Sequence, residues 1–330
     1  MILATFIHGG GAPRIGLVDA AARTVLDLQA QHEASTGKTC AHLESMLALI
    51  DGEEAALDLV RRTGESAARD GEFIRPLDDI RLLAPVPVPE QIREFSVYEQ
   101  HVRDAPINSA KAKARHYGQA VDAAMLDRPV PKIFFTQPAY YHCNRFNVIG
   151  PEEDVQWPSY SGHLDYELEI GMFIGRAGRN IPVEKAGRHI FGYTIYNDVS
   201  AREQMWREME MRMGPSKGKS FDTANVLGPW IVTPDELGDV QALDVEVRIN
   251  GERWGRNTTA HMLHSFEDMI AYISRDETLH KGELFCSGTV GGCSGLEIDR
   301  WLKPGDLMEL EVGGIGVLRN RIVKAAGEAS

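Results

Sequence analysis

The stretch Asp165-Tyr166-Glu167-Leu168-Glu169-Ile170-Gly171-Met172-Phe173-Ile174-Gly175 is the one around which the chain is organised. Its apolar residues mark it as a strand. Side chains two apart on a strand share a face, so Glu167 and Glu169 point one way and Tyr166, Leu168 and Ile170 the other. Two like charges on one side of an apolar segment repel each other and resist burial. Either solvent washes that face, or a hard divalent cation relieves it. Carboxylate oxygens suit Mg²⁺, Mn²⁺ or Ca²⁺.

A second acid lies downstream. Ile190-Phe191-Gly192-Tyr193-Thr194-Ile195-Tyr196 also reads as a strand and runs into Asn197-Asp198-Val199-Ser200-Ala201-Arg202. Asp198 sits where a strand gives way to a helix, roughly 199–213. That place suits a helix cap or a functional residue. Arg202, one turn on, faces the same site. Its guanidinium forks onto a carboxylate, either of a substrate or of a neighbouring acid.

Upstream, His101 and Asp104 are three apart and therefore neighbours on a helix. A carboxylate beside an imidazole orients it and raises its basicity, which suits a general base. The same spacing also describes an exposed charge pair. Gly214-Pro215-Ser216-Lys217-Gly218-Lys219-Ser220 imitates a phosphate-binding loop, but three residues rather than four precede its Gly-Lys-Ser, and it follows a helix instead of a strand.

Four blocks in order resemble the fumarylacetoacetate hydrolase family: DYELEIGMFIG (165–175), GYTIYNDVSARE (192–203), KSFDTANVLGPWIVTPDEL (219–237) and LKPGDLMELEVGGIGVLRNRI (302–322). The likeness runs from about Pro87 to the C-terminus. It implies an α+β chain, with a mixed β-sheet, β-roll-like catalytic domain over 87–330 behind a small N-terminal domain at 1–86. It implies Glu167, Glu169 and Asp198 as ligands of Mg²⁺ or Mn²⁺, with Ca²⁺ as a further fit. Glu94 stands where fumarylacetoacetate hydrolase proper has a fourth ligand. The resemblance makes His101 the base that activates water, with Asp104 where many members carry Glu. It gives Lys219 a place beside the metal and Thr289 a contact with substrate. Three carboxylates and one divalent cation sum to −1, so a fixed ammonium offsets an anionic substrate and stabilises an enolate. The implied activity is metal-dependent hydrolysis of a carbon–carbon bond in a β-diketo acid, of acylpyruvate or fumarylacetoacetate type. Decarboxylation of oxaloacetate, or keto–enol or dienoate isomerisation, would use the same enolate without an attacking water. A non-catalytic binding protein is the reading from another class. A homodimer is implied as well.

The rest of the chain bounds these readings. A net charge of −13 argues against nucleic acid or an anionic membrane as partner and leaves a small anionic keto acid open. Cys40, Cys143, Cys286 and Cys293 are scattered, which fits a reducing cytoplasm. The first residues lack a basic n-region, and no apolar run approaches a membrane span. Residues 1–30 read as short strands with a hairpin, and 41–69 as two helices. Pro85, Pro87 and Pro89 read as an extended connector. Residues 110–126 read as a helix and Ile133–Gln137 as a strand. Leu243 to Ile249 alternate ahead of an Asn250-Gly251 hairpin turn, and Ser265–Ser274 reads as a helix.

Overall fold

The computed structural model describes residues 1–67 and 71–324. Its framework is a sheet of 12 strands among those residues. The acidic strand lies at its centre. Leu168–Ile174 pairs antiparallel with Ile190–Asp198 on one side and with Leu284–Cys286 on the other. Every residue of Leu168–Ile174 is buried, and so is every residue of Ile190–Asp198 after the first. Covered on both faces, this part of the sheet leaves no solvent-washed side. Ile92–Ser96 joins parallel to Leu284–Cys286, and Ala139–His142 closes that edge.

The other half of the sheet is built by Asn225–Val232 and the N-terminal strands. Ile2–His8 pairs with Asn225–Val232, with Arg14–Asp19 and with Ile80–Leu82. Arg14–Asp19 and Thr24–Asp27 form the expected hairpin. The connector at Pro85–Pro89 has no regular structure, yet main-chain pairing crosses the 86/87 boundary through the Ile2–His8 strand. Met46–Asp51 and Glu53–Ala67 supply the two helices expected over 41–69, of which residues 68 and 69 lie outside the described residues.

A second, five-stranded sheet holds Glu252–Thr258, Asp244–Ile249, Leu307–Val312, Gly316–Lys324 and Val155–Trp157. Asn250 and Gly251, at φ +53° and +77°, make its two-residue turn, as a type I′ hairpin requires. The two sheets share one apolar core: Leu168, Ile170 and Val226 of the first pack with Val245, Val247 and Leu310 of the second. The Phe266–Ile273 helix starts with a capping box from Ser265 and Asp268 and turns Phe266, Met269, Ile270 and Ile273 inward.

Two local expectations change. The helix placed at 110–126 begins earlier, spanning Glu99–Tyr117, and a separate turn of helix covers Ala123–Leu126. Gly118, at φ +63°, stops the first. The strand read at 133–137 is instead a 3-10 turn, Lys132–Phe135, because Pro131 fixes its start and no strand among the described residues pairs with it. No helix of the described residues is long and apolar enough to cross a membrane.

Candidate active site

The acids converge because two adjacent strands deliver them to one end of the sheet. Glu167 precedes Leu168–Ile174, Glu169 lies in that strand, and Asp198 ends Ile190–Asp198. One oxygen from each of the three lies within 4.8 Å of the others. The Asn197 side chain accepts from the Glu167 amide at 3.0 Å and fixes the chain where it enters the strand.

Lys219 and Arg202 surround these acids. Lys219 Nζ donates to Glu167 Oε2 at 2.7 Å and to Asp198 Oδ2 at 2.6 Å. Arg202 donates through Nε and Nη2 to Asp165 Oδ2, at 2.9 and 2.7 Å, and also through Nη2 to Glu167 Oε1. Arg202, expected to orient a substrate, is bonded to the buried acids and also lines the cavity. Burial opposes the charge of Glu167, but Arg202, Lys219 and His101 outweigh it and hold its carboxyl well below the usual range. Burial also opposes the Lys219 ammonium, which Asp198 and Glu167 stabilise in turn.

Glu169, Asp198 and Glu94 are in the opposite condition. Burial comes first in pushing all three carboxyls up; neighbouring Glu94 adds to it for Glu169, and Asp198 adds to it for Glu94. For Asp198, Lys219 opposes the rise. Glu169 Oε1, Asp198 Oδ1 and Glu94 Oε2 are buried with no hydrogen-bond partner among the described residues. A donor set of orphaned, crowded carboxylate oxygens with excess negative charge fits a hard divalent cation. Glu94 belongs to this cluster through its contact with Glu169. The sequence left that contact undecided.

The carboxylate beside His101 differs from the expected one. His101 is on the Glu99–Tyr117 helix, with Nε2 3.8 Å from Glu167 Oε1 and Nδ1 3.0 Å from Glu297 Oε2. Asp104, three residues on, is turned to Arg103 at 3.1 Å. It is about one-third exposed, whereas the Glu297 side chain is 2 % exposed. The His101–Asp104 pairing is therefore corrected to His101–Glu297. An i,i+3 pair lies along the helix surface, and here that surface turns Asp104 outward while His101 faces the interior. Glu297 is itself held by the Gly292 amide and the Ser294 hydroxyl. Burial works against the His101 cation, but Glu297 and then Glu167 prevail and raise its pKa.

Two further groups had no assigned role. Tyr141 donates to Asp198 Oδ2 at 2.7 Å. The Gly288 amide donates to Glu169 Oε2 at 3.0 Å. Gly288 has φ +83°, and a Cβ there would lie 2.6 Å from the Phe95 carbonyl oxygen. Gly288→Ala should therefore cost about 2 kcal/mol or more of stability, read as a lower urea midpoint; an unchanged midpoint would show that the turn relaxes freely. Thr289 follows and is buried at the cavity wall.

The acids open into a cavity of about 680 Å³. Glu94, His101, Glu167 and Lys219 line its inner part, and Val102, Ala105, Pro106, Met125, Met205 and Trp206 give it apolar walls.

Comparison with known proteins agrees with this architecture. Residues 107–323 match the model of the fumarylacetoacetate (FAA) hydrolase C-terminal domain. The chain is 30 % identical over 314 residues to oxaloacetate tautomerase fahd2, mitochondrial, of Xenopus laevis, covering 94 % of this chain and 86 % of that one. It is 35 % identical over 196 residues to 2,4-didehydro-3-deoxy-L-rhamnonate hydrolase of a Sphingomonas strain, covering 59 % and 66 %. Among solved structures, fumarylacetoacetate hydrolase from psychrophilic Exiguobacterium antarcticum superposes with a TM-score of 0.73 at 26 % identity, covering 98 % of this chain and all of that one. The chain belongs to the fumarylacetoacetate hydrolase family of enzymes.

Proposed function

We propose that the protein hydrolyses a carbon–carbon bond of a β-diketo acid, of acylpyruvate or fumarylacetoacetate type, in a reaction dependent on a divalent metal. The cavity carries this reading. The His101–Glu297 pair stands beside the acid cluster, and the apolar walls beyond extend the space to about 680 Å³, far more than a four-carbon dioate fills. Glu167, Glu169 and Asp198 would hold Mg²⁺ or Mn²⁺, with Glu94 alongside. The ion would act as a Lewis acid toward the oxygens of the 2-oxo acid.

The chain's own residues account for the rest. With Nδ1 3.0 Å from Glu297 Oε2, His101 has Nε2 to take a proton from water, and the Glu297 carboxylate stabilises the resulting imidazolium. The hydroxide attacks the distal carbonyl. The carbon–carbon bond breaks, its electron pair passes to the pyruvate enolate, and the proton held on His101 returns to that carbon. For an acylpyruvate the products are a carboxylic acid and pyruvate, with one water consumed; a substrate of fumarylacetoacetate type releases a 3-oxo acid in place of pyruvate by the same steps. The Lys219 ammonium offsets the enolate charge. Thr289 would bond the substrate carboxylate.

A second reading, keto–enol tautomerisation of a 2-oxo dioate, is favoured by the near full-length match to an oxaloacetate tautomerase. It uses the same base without water. Purified protein with Mg²⁺ or Mn²⁺ should consume acylpyruvates, followed by ultraviolet loss, and release stoichiometric pyruvate, with kcat/KM rising as the acyl group lengthens. If only the decay of oxaloacetate enol is accelerated, the tautomerase reading replaces the hydrolase. CO₂ release from oxaloacetate would mark a decarboxylase. No turnover, with Mg²⁺ still raising Tm, would leave a binding protein. A homodimer, read by light scattering, and a reducing cytoplasmic setting for the four free cysteines belong to the same proposal.

A further inference from the structure

A second cluster of ligating side chains lies apart from the acids. His116, His163 and Glu203 bring one ligand atom each to within 4.8 Å of one another, and none of them lines the cavity. His116 is in the last turn of the Glu99–Tyr117 helix, Glu203 is in the first turn of the Arg202–Glu210 helix, and His163 precedes the Leu164–Asp165 strand. Three separate elements therefore meet here.

The contacts within the cluster leave ligating capacity unused. His116 Nε2 is 3.6 Å from Glu203 Oε1, beyond hydrogen-bond range. His163 Nδ1 is buried and has no hydrogen-bond partner among the described residues. The two imidazole centroids are 5.2 Å apart with their planes at 79°, so the rings do not stack. The Glu203 carboxylate is already oriented: Oε2 accepts from the Gly162 amide at 2.9 Å and Oε1 from Arg207 at 2.6 Å. Outer hydrogen bonds of this kind position a metal-ligating carboxylate. Trp206 and Trp301 stand over His163, with ring centroids 5.3 and 4.9 Å away.

Two imidazoles and one carboxylate make an N₂O donor set. Imidazole is a poor ligand for Mg²⁺ or Ca²⁺ and a good one for Zn²⁺, Co²⁺ and Ni²⁺. Three such ligands plus water complete a tetrahedral zinc-type site. Burial, with His116 close by, lowers the His163 pKa and so favours the neutral, ligating form. Zinc–nitrogen bonds of about 2.0–2.1 Å place ligand atoms roughly 3.3 Å apart, so binding would draw the three side chains closer together.

We propose that His116, His163 and Glu203 form a second metal site, selective for Zn²⁺-class ions, which ties the end of one cavity-lining helix to the start of the other. Both helices contribute to the cavity wall, through Val102 and Ala105 on the first and Met205 and Met209 on the second. A bound ion would hold that wall together without touching the acidic centre.

Co²⁺ is the probe. Protein stripped with EDTA and kept in excess Mg²⁺ is titrated with Co²⁺, following the visible d–d absorption and tryptophan fluorescence. Wild type should bind one equivalent with the intense band of a four-coordinate ion, and Trp206 and Trp301 should be quenched. Even outer partners of metal ligands are worth about 10–100-fold in affinity, so His116→Gln should weaken this binding about 100-fold or more. The His116 side chain is 29 % exposed and its ring touches Tyr117 and Trp206, so the d–d band rather than the fluorescence decides this variant, and it remains available even if His163→Ala fails to fold. Glu169→Gln, which disables the acidic centre, should leave the signal in place. The proposal is overturned if no band appears, if His116→Gln binds Co²⁺ as wild type does, or if Glu169→Gln alone abolishes the signal.

Discussion

Glu169→Gln should lower kcat/KM by about a thousandfold or more and at the same time stabilise the cation-free protein. Glu94, Asp165, Glu167, Glu169 and Asp198 are all buried, and the buried cations among them are Arg202 and Lys219. Charge is in excess on the acidic side. Glu169 carries part of that excess, because among the described residues Oε2 accepts from the Gly288 amide alone and Oε1 has no hydrogen-bond partner. A Gln in its place is neutral, keeps an acceptor for Gly288 and offers an N–H toward Glu94. The gain should be about 1–2 kcal/mol in EDTA. Cation restores the order. A ligand at one hundred times its Kd adds about 2.7 kcal/mol to the form that binds it. Mg²⁺ should therefore raise the Tm of wild type and leave the variant unmoved. Thermal melts with and without Mg²⁺, beside the acylpyruvate assay, decide it. A variant that responds to Mg²⁺ like wild type would remove Glu169 from the ligand set.

Glu297→Gln and Asp104→Asn form the second test, and their effects should diverge sharply. Proton transfer by a positioned side chain contributes about 10²–10⁴-fold to a rate. His101 Nδ1 is 3.0 Å from Glu297, so loss of that carboxylate should lower kcat about 10²–10³-fold with little change in KM. Asp104 is bonded to Arg103 and should cost less than about twofold. His101→Ala should cost at least as much as Glu297→Gln, and the double variant should cost little more, since the two act as a unit. The Mg²⁺-induced rise in Tm should survive in both single variants, which separates loss of the base from loss of the cation. Equal losses in Glu297→Gln and Asp104→Asn would return the dyad to Asp104.

How much of this was legible beforehand depended on range along the chain. The period-two pattern of 165–175, the Asn250-Gly251 turn and the capped helix after Ser265 are local, and each stands in the structure as the pattern implies. Local pattern misjudged 133–137, where apolar residues resemble a strand but Pro131 and the lack of a pairing partner give a 3-10 turn. It also suggested Asp104, because a spacing of three shows which residues are neighbours on a helix but not which side of the helix is buried.

The sequence by itself determined the candidates for the chemistry. Paired acids inside an apolar strand and a third acid at a strand end left a hard cation as one of two readings, and the resemblance to the fumarylacetoacetate hydrolase family added a histidine upstream and a lysine downstream to the candidate site. The tertiary structure decided who touches whom. Glu297 lies 196 positions beyond His101 and Gly288 lies 119 beyond Glu169, and no local periodicity links residues so far apart. Burial is likewise a property of the assembled sheets. Only when two sheets cover the acidic strand do Glu169, Asp198 and Glu94 lose water from their oxygens, and that loss of solvation is what turns a run of acids into a site for a cation.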